Sequence, residues 1–219
     1  MRDIEVSVVR DAVARLCIDA NKNLPCDLIS KIKKSEENEK DGIAKSVLND
    51  LLLNADTAKE LNIPVCQDTG MAVVFLKIGQ EVHFIGGNLY DAVNDGVKKG
   101  YEQGLLRKSV VSDPINRVNT NDNTPAIIHT EIVDGDKIEI IVAPKGFGSE
   151  NMSAVKMFNP SATKEDIIDF VADTVKNAGG NPCPPVVVGV GIGGTFDYAA
   201  YLSKLALTRN IDTSNTNEK

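Results

Sequence analysis

The chain has 219 residues, of which 42% are hydrophobic and 25% are charged, and its formal net charge is −7. This composition is typical of a globular protein with a sizeable core, and the negative charge argues against nucleic-acid binding, which normally needs a basic face. No apolar run approaches the roughly 20 residues that span a bilayer, and the N-terminus mixes charges of both signs, so we expect no membrane contact, no signal peptide and a cytoplasmic location.

The N-terminal third of the chain is predicted to be helical. Apolar residues recur at helical spacing over residues 3–20, a second helical segment follows Pro25, and a third helix is expected around residues 41–54. Cys17 and Cys26 fall in this part of the chain. We interpret both as buried or part-buried small hydrophobic residues rather than as ligands.

Strands and helices are predicted to alternate after residue 64. The apolar run MAVVFLKIG predicts a strand, and residues 87–104 predict a helix between two glycines. The strand-like runs TPAIIHTEIV and KIEIIVAPKG are joined by DGD, which indicates a hairpin. A capped helix is expected over residues 163–178, and a last strand, PVVVGVG, leads into a helix over DYAAYLSKLAL. The expected fold class is therefore α/β, with N-terminal helices followed by a mixed sheet with packed helices and at least one antiparallel pair.

Domain organisation follows from the lack of an internal repeat or a linker in the sequence. We expect residues 1–219 to form a single domain. The polar tail TRNIDTSNTNEK suits either a natural C-terminus or a chain that has been cut short.

The run GVGIGG, residues 189–194, matches a dinucleotide-binding pattern after a strand and before a helix. That pattern also needs a second strand that ends in an acid about 20 residues further on, and Asp212 follows no strand-like run. A tight glycine turn that brings backbone amides near an anion is the favoured interpretation.

Two cysteines lie in proline-marked turns, Cys66 in IPVCQDTG and Cys183 in NPCPP. Prolines stiffen such loops, which suits a thiolate held toward a metal. Because the two cysteines are far apart in sequence, no C-x-x-C motif applies. On these residues alone, two unrelated thiols remain the simpler interpretation.

Polar loops provide further candidates. Arg107 lies in a loop rich in Asn, Asp and Thr, and its guanidinium could bind a carboxylate through two hydrogen bonds. Gly146 and Gly148 lie in the second polar loop, APKGFGSENMS. His83 and His129 fall in strand-like runs, where a structural role is more common than metal ligation.

Several long stretches occur together in an order and at a spacing that closely resemble one family. They are IPVCQDTG, LRKSVVSDP, NTNDNTPAIIHTEIVDGDKIEI, PKGFGSENMS and CPPVVVGVGIGGTFDYAAYLSK. They resemble the α subunit of the two-subunit class I fumarate hydratases, a family shared with L-tartrate dehydratase, over residues 4–207. The resemblance implies an iron–sulfur hydro-lyase of the tricarboxylic acid cycle, with residues 1–219 as its single N-terminal catalytic domain. In that family three cysteines hold a [4Fe–4S] cluster whose open iron binds substrate as a Lewis acid.

The resemblance also implies site residues. Cys66 and Cys183 match two of the three cluster cysteines, and we expect their sulfurs to converge on one inorganic centre. The third cysteine lies downstream in the family, so we expect the chain to lack its C-terminal segment and a complete ligand set. The residues that match Gln67 and Asp68 line the substrate pocket, where Asp68 is the candidate for proton delivery at the substrate hydroxyl. Arg107 matches an arginine that clamps a substrate carboxylate.

Gly146 and Gly148 are expected to offer backbone amides to the other end of a small dicarboxylate substrate, and Thr69 to cap the turn. The family's remaining groups come from a β subunit. We therefore expect an α2β2 assembly, and we expect this chain to be inactive without its partner.

Three functions remain open from the sequence. The first is an α subunit that interconverts (S)-malate and fumarate. The alternatives are an L-tartrate dehydratase subunit and a non-catalytic iron–sulfur or metal-binding module. Gln67, Asp68 and Arg107 argue against the non-catalytic module, because a protein that only holds a cluster needs none of them.

Overall fold

The computed structural model describes residues 1–214. The chain divides into two compact units, Met1–Lys145 and Gly146–Lys219. The expected single catalytic domain stays a prediction. The end of the polar tail, residues 215–219, lies outside the described residues.

The first unit combines helices with two small sheets and confirms the expected α/β class. Its elements are β1 (Arg2–Glu5), α1 (Val6–Lys22), α2 (Cys26–Asn38), α3 (Gly42–Leu61), β2 (Met71–Gly79), β3 (Val82–Ile85), α4 (Leu89–Gln103), β4 (Ile127–Val133) and β5 (Ile138–Lys145).

The start of the chain differs from the prediction. The expected first helix includes β1, but β1 pairs in parallel with β3 and the helix begins only at Val6. Ile4 of β1 lies opposite Phe84 and packs against the core, so pairing with β3 partly buries an apolar side chain. Tertiary contact thus overrides the local helical pattern.

The three-stranded sheet has the order β4-β2-β5, and its central strand has the predicted bounds. β2 is parallel to β4 and antiparallel to β5. The predicted hairpin between β4 and β5 is therefore wrong, because β2 lies between them. The DGD segment crosses the end of β2, where Gly79 N–H donates to the carbonyl of Lys137 at 2.8 Å. A Cβ on Gly79 would lie 2.3 Å from the carbonyl oxygen of Gly135, so only glycine fits at this crossing.

The core of the first unit is formed by α1, α4 and the central sheet. Its fully buried side chains are aliphatic and aromatic, and they include Val13, Val74, Leu76, Val97 and Tyr101. Burial of such side chains contributes about 1.5–3 kcal/mol each. This core supports the strands β2 and β4, into which the site loops lead.

Helix α3 is longer than predicted. Asp41 caps its N-terminus by accepting hydrogen bonds from the amides of Ile43 and Ala44, and the helix ends at Leu61, before the C-cap residue Asn62, whose φ is +54°. Ile43 and Val47, in the N-terminal part of α3, are 80% and 47% exposed. The buried residues of α3 lie nearer its C-terminal end, toward the loop of Cys66.

The second unit contains α5 (Phe147–Glu150), α6 (Lys164–Ala178) and α7 (Phe196–Ala206). Helix α6 begins with the predicted cap, in which the Thr163 side chain accepts from the amide of Asp166. The last predicted strand is wrong: within residues 1–214, the segment 185–191 pairs with no strand. Val187 and Val188 in this segment are each 48% exposed.

The helices were compared with what a membrane span requires. Among the described helices, none combines the length and the apolar character that a bilayer span requires.

Candidate active site

The sheet of the first unit brings two predicted site loops to one edge. Because β2 and β4 are parallel, the loops that lead into them meet at the same end of the sheet. Those loops are residues 62–70, which contain Cys66, Gln67 and Asp68, and residues 104–126, which contain Arg107.

The backbone just before Cys66 is held by two helices. The amide of Val65 donates to the carbonyl of Asn21 at 2.9 Å, and the carbonyl of Val65 accepts from Asn54 Nδ2 at 2.8 Å. Asn21 belongs to α1 and Asn54 to α3. The position of Cys66 is therefore set by the helical part of the unit, while its thiol is exposed.

Hydrogen bonds order the turn from Cys66 to Gly70. The amide of Asp68 donates to Cys66 Sγ at 3.4 Å, and the thiol donates to Gln67 Oε1 at 3.4 Å. The amide of Gly70 donates to Asp68 Oδ1 at 3.0 Å. The sulfur thus receives an amide hydrogen bond, as cluster-ligating sulfurs do, and the Asp68 carboxylate has a defined orientation.

Thr69 joins this turn to the loop of Arg107. Its hydroxyl donates to the carbonyl of Arg107 at 2.9 Å, and the residue is only 3% exposed. Thr69 was expected to cap its own turn; its hydroxyl instead reaches the neighbouring loop. The structure therefore brings the backbone of Arg107 beside the turn that contains Asp68, with the Arg107 side chain exposed.

Two further residues of this region were missed from the sequence. Tyr101, on α4, donates through its hydroxyl to the carbonyl of Thr69 at 2.7 Å and to that of Gly70 at 3.2 Å. Burial raises the pKa of Tyr101 well above its usual range. Asn123 is fully buried and bonds to Gly70 as well. The only signal for Asn123 was its place in a polar run, which does not distinguish it from its neighbours.

The two cysteines of the helical region have different environments. Cys17 is buried in the core, and burial raises the pKa of its thiol to about 12, so it stays protonated at neutral pH. This confirms its structural interpretation. Cys26 is exposed at the first residue of α2, so the expectation that it is buried or part-buried is wrong.

In the second unit, Cys183 has an unusual backbone conformation. Its φ is +56°, and its amide donates to the carbonyl of Gly180 at 3.1 Å. A left-handed conformation costs a residue with a side chain about 1–2 kcal/mol, and such strain is concentrated at functional sites. The Cys183 thiol is exposed.

The loop of Gly146 and Gly148 contacts the loop of Cys183 within the same unit. A Cβ on Gly148 would lie 2.9 Å from the carbonyl oxygen of Asn181, so the two backbones approach closely. Glu150, at the end of α5, forms an ion pair with Lys204 of α7. The structure thus places Gly148 near the loop of the second predicted ligand.

The glycines of the GVGIGG run have a packing role. A Cβ would lie 2.1 Å from the Ser203 carbonyl oxygen at Gly189 and 2.2 Å from the Ala199 carbonyl oxygen at Gly191. Both contacts are to α7. The segment before the run also lacks the strand that a dinucleotide-binding turn needs.

The two histidines make contacts typical of structural residues. The ring of His129 stacks on that of Phe75 with 5.1 Å between centroids. The His83 ring nitrogen lies 3.0 Å from an Asp3 carboxylate oxygen at the surface.

An iron–sulfur cluster is held by cysteine sulfurs that the iron can reach. Cys66 and Cys183 meet this condition because both side chains are exposed, whereas the buried Cys17 does not. Within residues 1–214, no group of three or more His, Cys, Asp or Glu side chains could hold a metal ion by itself. The convergence of Cys66 and Cys183 on one centre stays a prediction.

Comparison with known proteins supports the family resemblance over nearly the whole chain. The family model described as fumarate hydratase (Fumerase) matches residues 10–219. A Methanocaldococcus jannaschii protein named "Putative L(+)-tartrate dehydratase subunit alpha" is 42% identical over 209 residues, which are 93% of this chain and 73% of the relative. The L(+)-tartrate dehydratase subunit alpha of Escherichia coli strain K12 is 31% identical over 218 residues, 98% of this chain and 71% of the relative. The chain therefore belongs to the fumarate hydratase (Fumerase) family.

Proposed function

We propose that the chain is the α subunit of an iron–sulfur hydro-lyase that dehydrates a small 2-hydroxy dicarboxylic acid. The family to which it belongs consists of hydro-lyases, which are lyases that remove water. The observation that carries the proposal is the hydrogen bond from Thr69 to the carbonyl of Arg107, because it joins the turn of Asp68 to the loop of the candidate carboxylate-binding residue.

L-tartrate is the substrate that we place first. The sequence interpretation placed (S)-malate and fumarate first, with tartrate as the alternative. The similar proteins named above are tartrate dehydratase α subunits, and this favours the alternative. Malate and tartrate share two carboxylates and a 2-hydroxyl group, so the same residues can serve either reaction.

Cys66 and Cys183 are the proposed donors of two thiolates to a [4Fe–4S] cluster. When bound, a cluster with an open iron supplies a Lewis acid that stabilises the departing hydroxide. The exposure of both thiols supports this assignment, as does the amide of Asp68 that donates to Cys66 Sγ.

The chain's own residues orient the substrate and move one proton. Arg107 binds one substrate carboxylate through its guanidinium, which is suited to two parallel hydrogen bonds. Asp68 delivers a proton to the leaving hydroxyl, so that the C–O bond breaks and water departs, while a base of the proposed β subunit takes the proton from the neighbouring carbon and the double bond forms. Gln67 donates a hydrogen bond from its side-chain amide, and Gly146 and Gly148 offer backbone amides to the second carboxylate.

The partner is a β subunit. The relatives are named as α subunits, which implies a second kind of subunit in those enzymes. We propose the same for this protein, with an α2β2 assembly in the cytoplasm, a single catalytic domain in this chain, and no activity from the chain alone.

The test is an anaerobic assay of the chain assembled with its β subunit and loaded with iron and sulfide. We expect oxaloacetate from L-tartrate, with a higher kcat/KM than fumarate formation from (S)-malate. Turnover of malate with none of tartrate would return the assignment to the fumarate reaction. If neither acid is dehydrated, the hydro-lyase proposal fails.

Cysteine variants test the cluster separately from turnover. We expect Cys66→Ala and Cys183→Ala each to lose most of the visible absorbance of the loaded assembly. The matched control is Cys26→Ala, because this thiol is also exposed but lies outside the proposed site. Equal absorbance from all of these variants would contradict the ligand assignment.

A further inference from the structure

We propose that Asn123 is a positioning residue that fixes the loop of Asp68 against the loop of Arg107. This inference rests on the function proposed above and adds a residue to which neither the family resemblance nor the comparisons assign a role. Asn123 does not touch the substrate in this proposal; it acts through the two loops that it joins.

The Asn123 side chain bonds to both loops at once. Its Nδ2 donates to the carbonyl of Gly70 at 3.1 Å, two residues after Asp68. Its Oδ1 accepts from the amides of Ser109 at 2.7 Å and Val110 at 3.1 Å, directly after the Arg107 segment. One planar amide group therefore sets the separation of two backbone segments.

Burial makes this amide group an effective clamp. Asn123 is 0% exposed, so water does not compete for its hydrogen bonds. Loss of the side chain would leave the amides of Ser109 and Val110 without their acceptor, and unsatisfied buried groups are strongly disfavoured. The φ of Asn123 is +62°, a conformation that asparagine tolerates better than most residues do.

The link between the loops of Asp68 and Arg107 matters for catalysis because each loop has a different task. In the proposed function, Arg107 holds a carboxylate and Asp68 delivers a proton to the hydroxyl of the same small molecule. A misplacement of about 1 Å between such groups can cost on the order of 100-fold in rate. Thr69 makes a second link between the same loops, so we expect Asn123 variants to weaken the geometry without separating the loops.

The experiment compares three variants of the full chain. N123A removes all the hydrogen bonds of this amide group. N123D keeps an oxygen that accepts from Ser109 and Val110, but it loses the donor to the carbonyl of Gly70. The control is N94A, because Asn94 also bridges two segments, donating to the carbonyl of Tyr90 at 2.9 Å and accepting from the amide of Ala126 at 2.9 Å, which is the last residue of the second site loop and not part of the Arg107 segment.

Amide hydrogen exchange of the chain alone gives a readout that needs neither cluster nor substrate. In N123A, we expect the amides of Ser109 and Val110 to exchange at least about 10-fold faster than in the wild type, because they lose their acceptor. N123D and N94A should retain the wild-type protection at these two amides. Wild-type exchange in N123A would overturn the proposal.

Kinetics of the loaded αβ assembly test the link to the reaction. We expect kcat/KM to fall roughly 10- to 100-fold in N123A and in N123D, with the cluster absorbance retained. N94A should stay within about threefold of the wild type when assayed well below its unfolding temperature. Faster exchange in N123A together with kcat/KM equal to that of N94A would overturn the positioning role.

The two proposals can fail separately. If the wild-type assembly dehydrates neither tartrate nor malate, the hydro-lyase function fails, and the exchange experiment still decides whether Asn123 joins the loops. If N123A does not fold, N123D decides: it must lower kcat/KM while the exchange of Ser109 and Val110 stays slow, and a wild-type kcat/KM overturns the proposal.

Discussion

The loops of Cys66 and Cys183 are both proline-marked turns with an exposed thiol, but their surroundings differ. Beside Cys66, the polar residues Thr69 and Asn123 are 3% and 0% exposed and link the turn to its neighbours. In the second unit, Ala178 is the one buried hydrophobic residue among residues 146–214. The first loop is therefore held by a packed core, whereas the second makes local contacts, such as the hydrogen bond from the Cys183 amide to the carbonyl of Gly180.

The same contrast applies to apolar surface. The second unit exposes a succession of apolar side chains between residues 186 and 198; they are Val186, Val187, Val188, Val190, Ile192, Phe196 and Tyr198. Exposed apolar surface of this extent is typical of a contact surface. The proposed site residues near Cys66 are therefore preorganised by the core of the first unit. Those near Cys183 belong to a unit that has little core of its own.

A matched pair of isoleucines measures this contrast most directly. Ile78 is 6% exposed in β2, and Ile192 is 65% exposed in the second unit. We expect Ile78→Ala to lower the free energy of unfolding by about 2–5 kcal/mol, because it leaves a cavity. Ile192→Ala should cost less than about 0.5 kcal/mol.

Urea denaturation of the isolated chain, followed by circular dichroism, provides the measurement for both isoleucine variants. Similar losses at the two positions would show that residue 192 is buried in solution, and the contrast would disappear.

A buried thiol makes the first unit sensitive to alkaline pH. The pKa of Cys17 is about 12 in the folded chain against 9.0 for a thiol in water, because burial disfavours the thiolate. The contribution of the Cys17 thiol to the free energy of unfolding is present in full below pH 9. It is lost as the pH rises toward about 12, because in this range the thiol ionises only in the unfolded chain. The expected slope is about 1.4 kcal/mol per pH unit within this window.

Cys17→Ala should remove that part of the slope of unfolding free energy between pH 9 and 10.5 in urea titrations of the apo chain. Because burial causes the raised pKa of Cys17, the control is Cys183→Ala, which replaces an exposed thiol. An unchanged slope in Cys17→Ala would contradict the assignment.

The smallest expected effect concerns the ion pair that joins α5 to α7 in the second unit. Lys204 and Glu150 are 27% and 32% exposed, whereas the surface pair Lys99 and Asp11 is 38% and 52% exposed. We expect Lys204→Met to cost about 1 kcal/mol and Lys99→Met at most about 0.5 kcal/mol. Thermal unfolding at low and high salt measures both, and a larger loss in Lys99→Met would reverse the ranking.

Part of the fold could be predicted because its signals are local. The bounds of β2 followed from its apolar run, and α6 followed from its threonine cap. The hairpin failed because DGD is a turn signal that says nothing about which strand lies between its neighbours. The sequence did contain the missing clue: a strand that is apolar at nearly every position is buried on both faces, which is typical of a central strand.

The residues of the candidate site were predicted from the family resemblance, but the residues that hold its loops in place were not. The family motifs pointed to Cys66, Asp68 and Arg107. Asn123 reaches residues 13, 14 and 53 positions away in the chain. Only the fold creates such contacts, so neither periodicity nor motif spacing could reveal them.

The position of β2 between β4 and β5 has a consequence for synthesis on the ribosome. β4 and β5 both pair with β2, and β2 leaves the exit tunnel before either of them. The central strand β2 is therefore translated before the two edge strands β4 and β5. Until residue 145 has emerged, the nascent chain exposes a central apolar strand with at least one unpaired side, and such strands are prone to association with other chains.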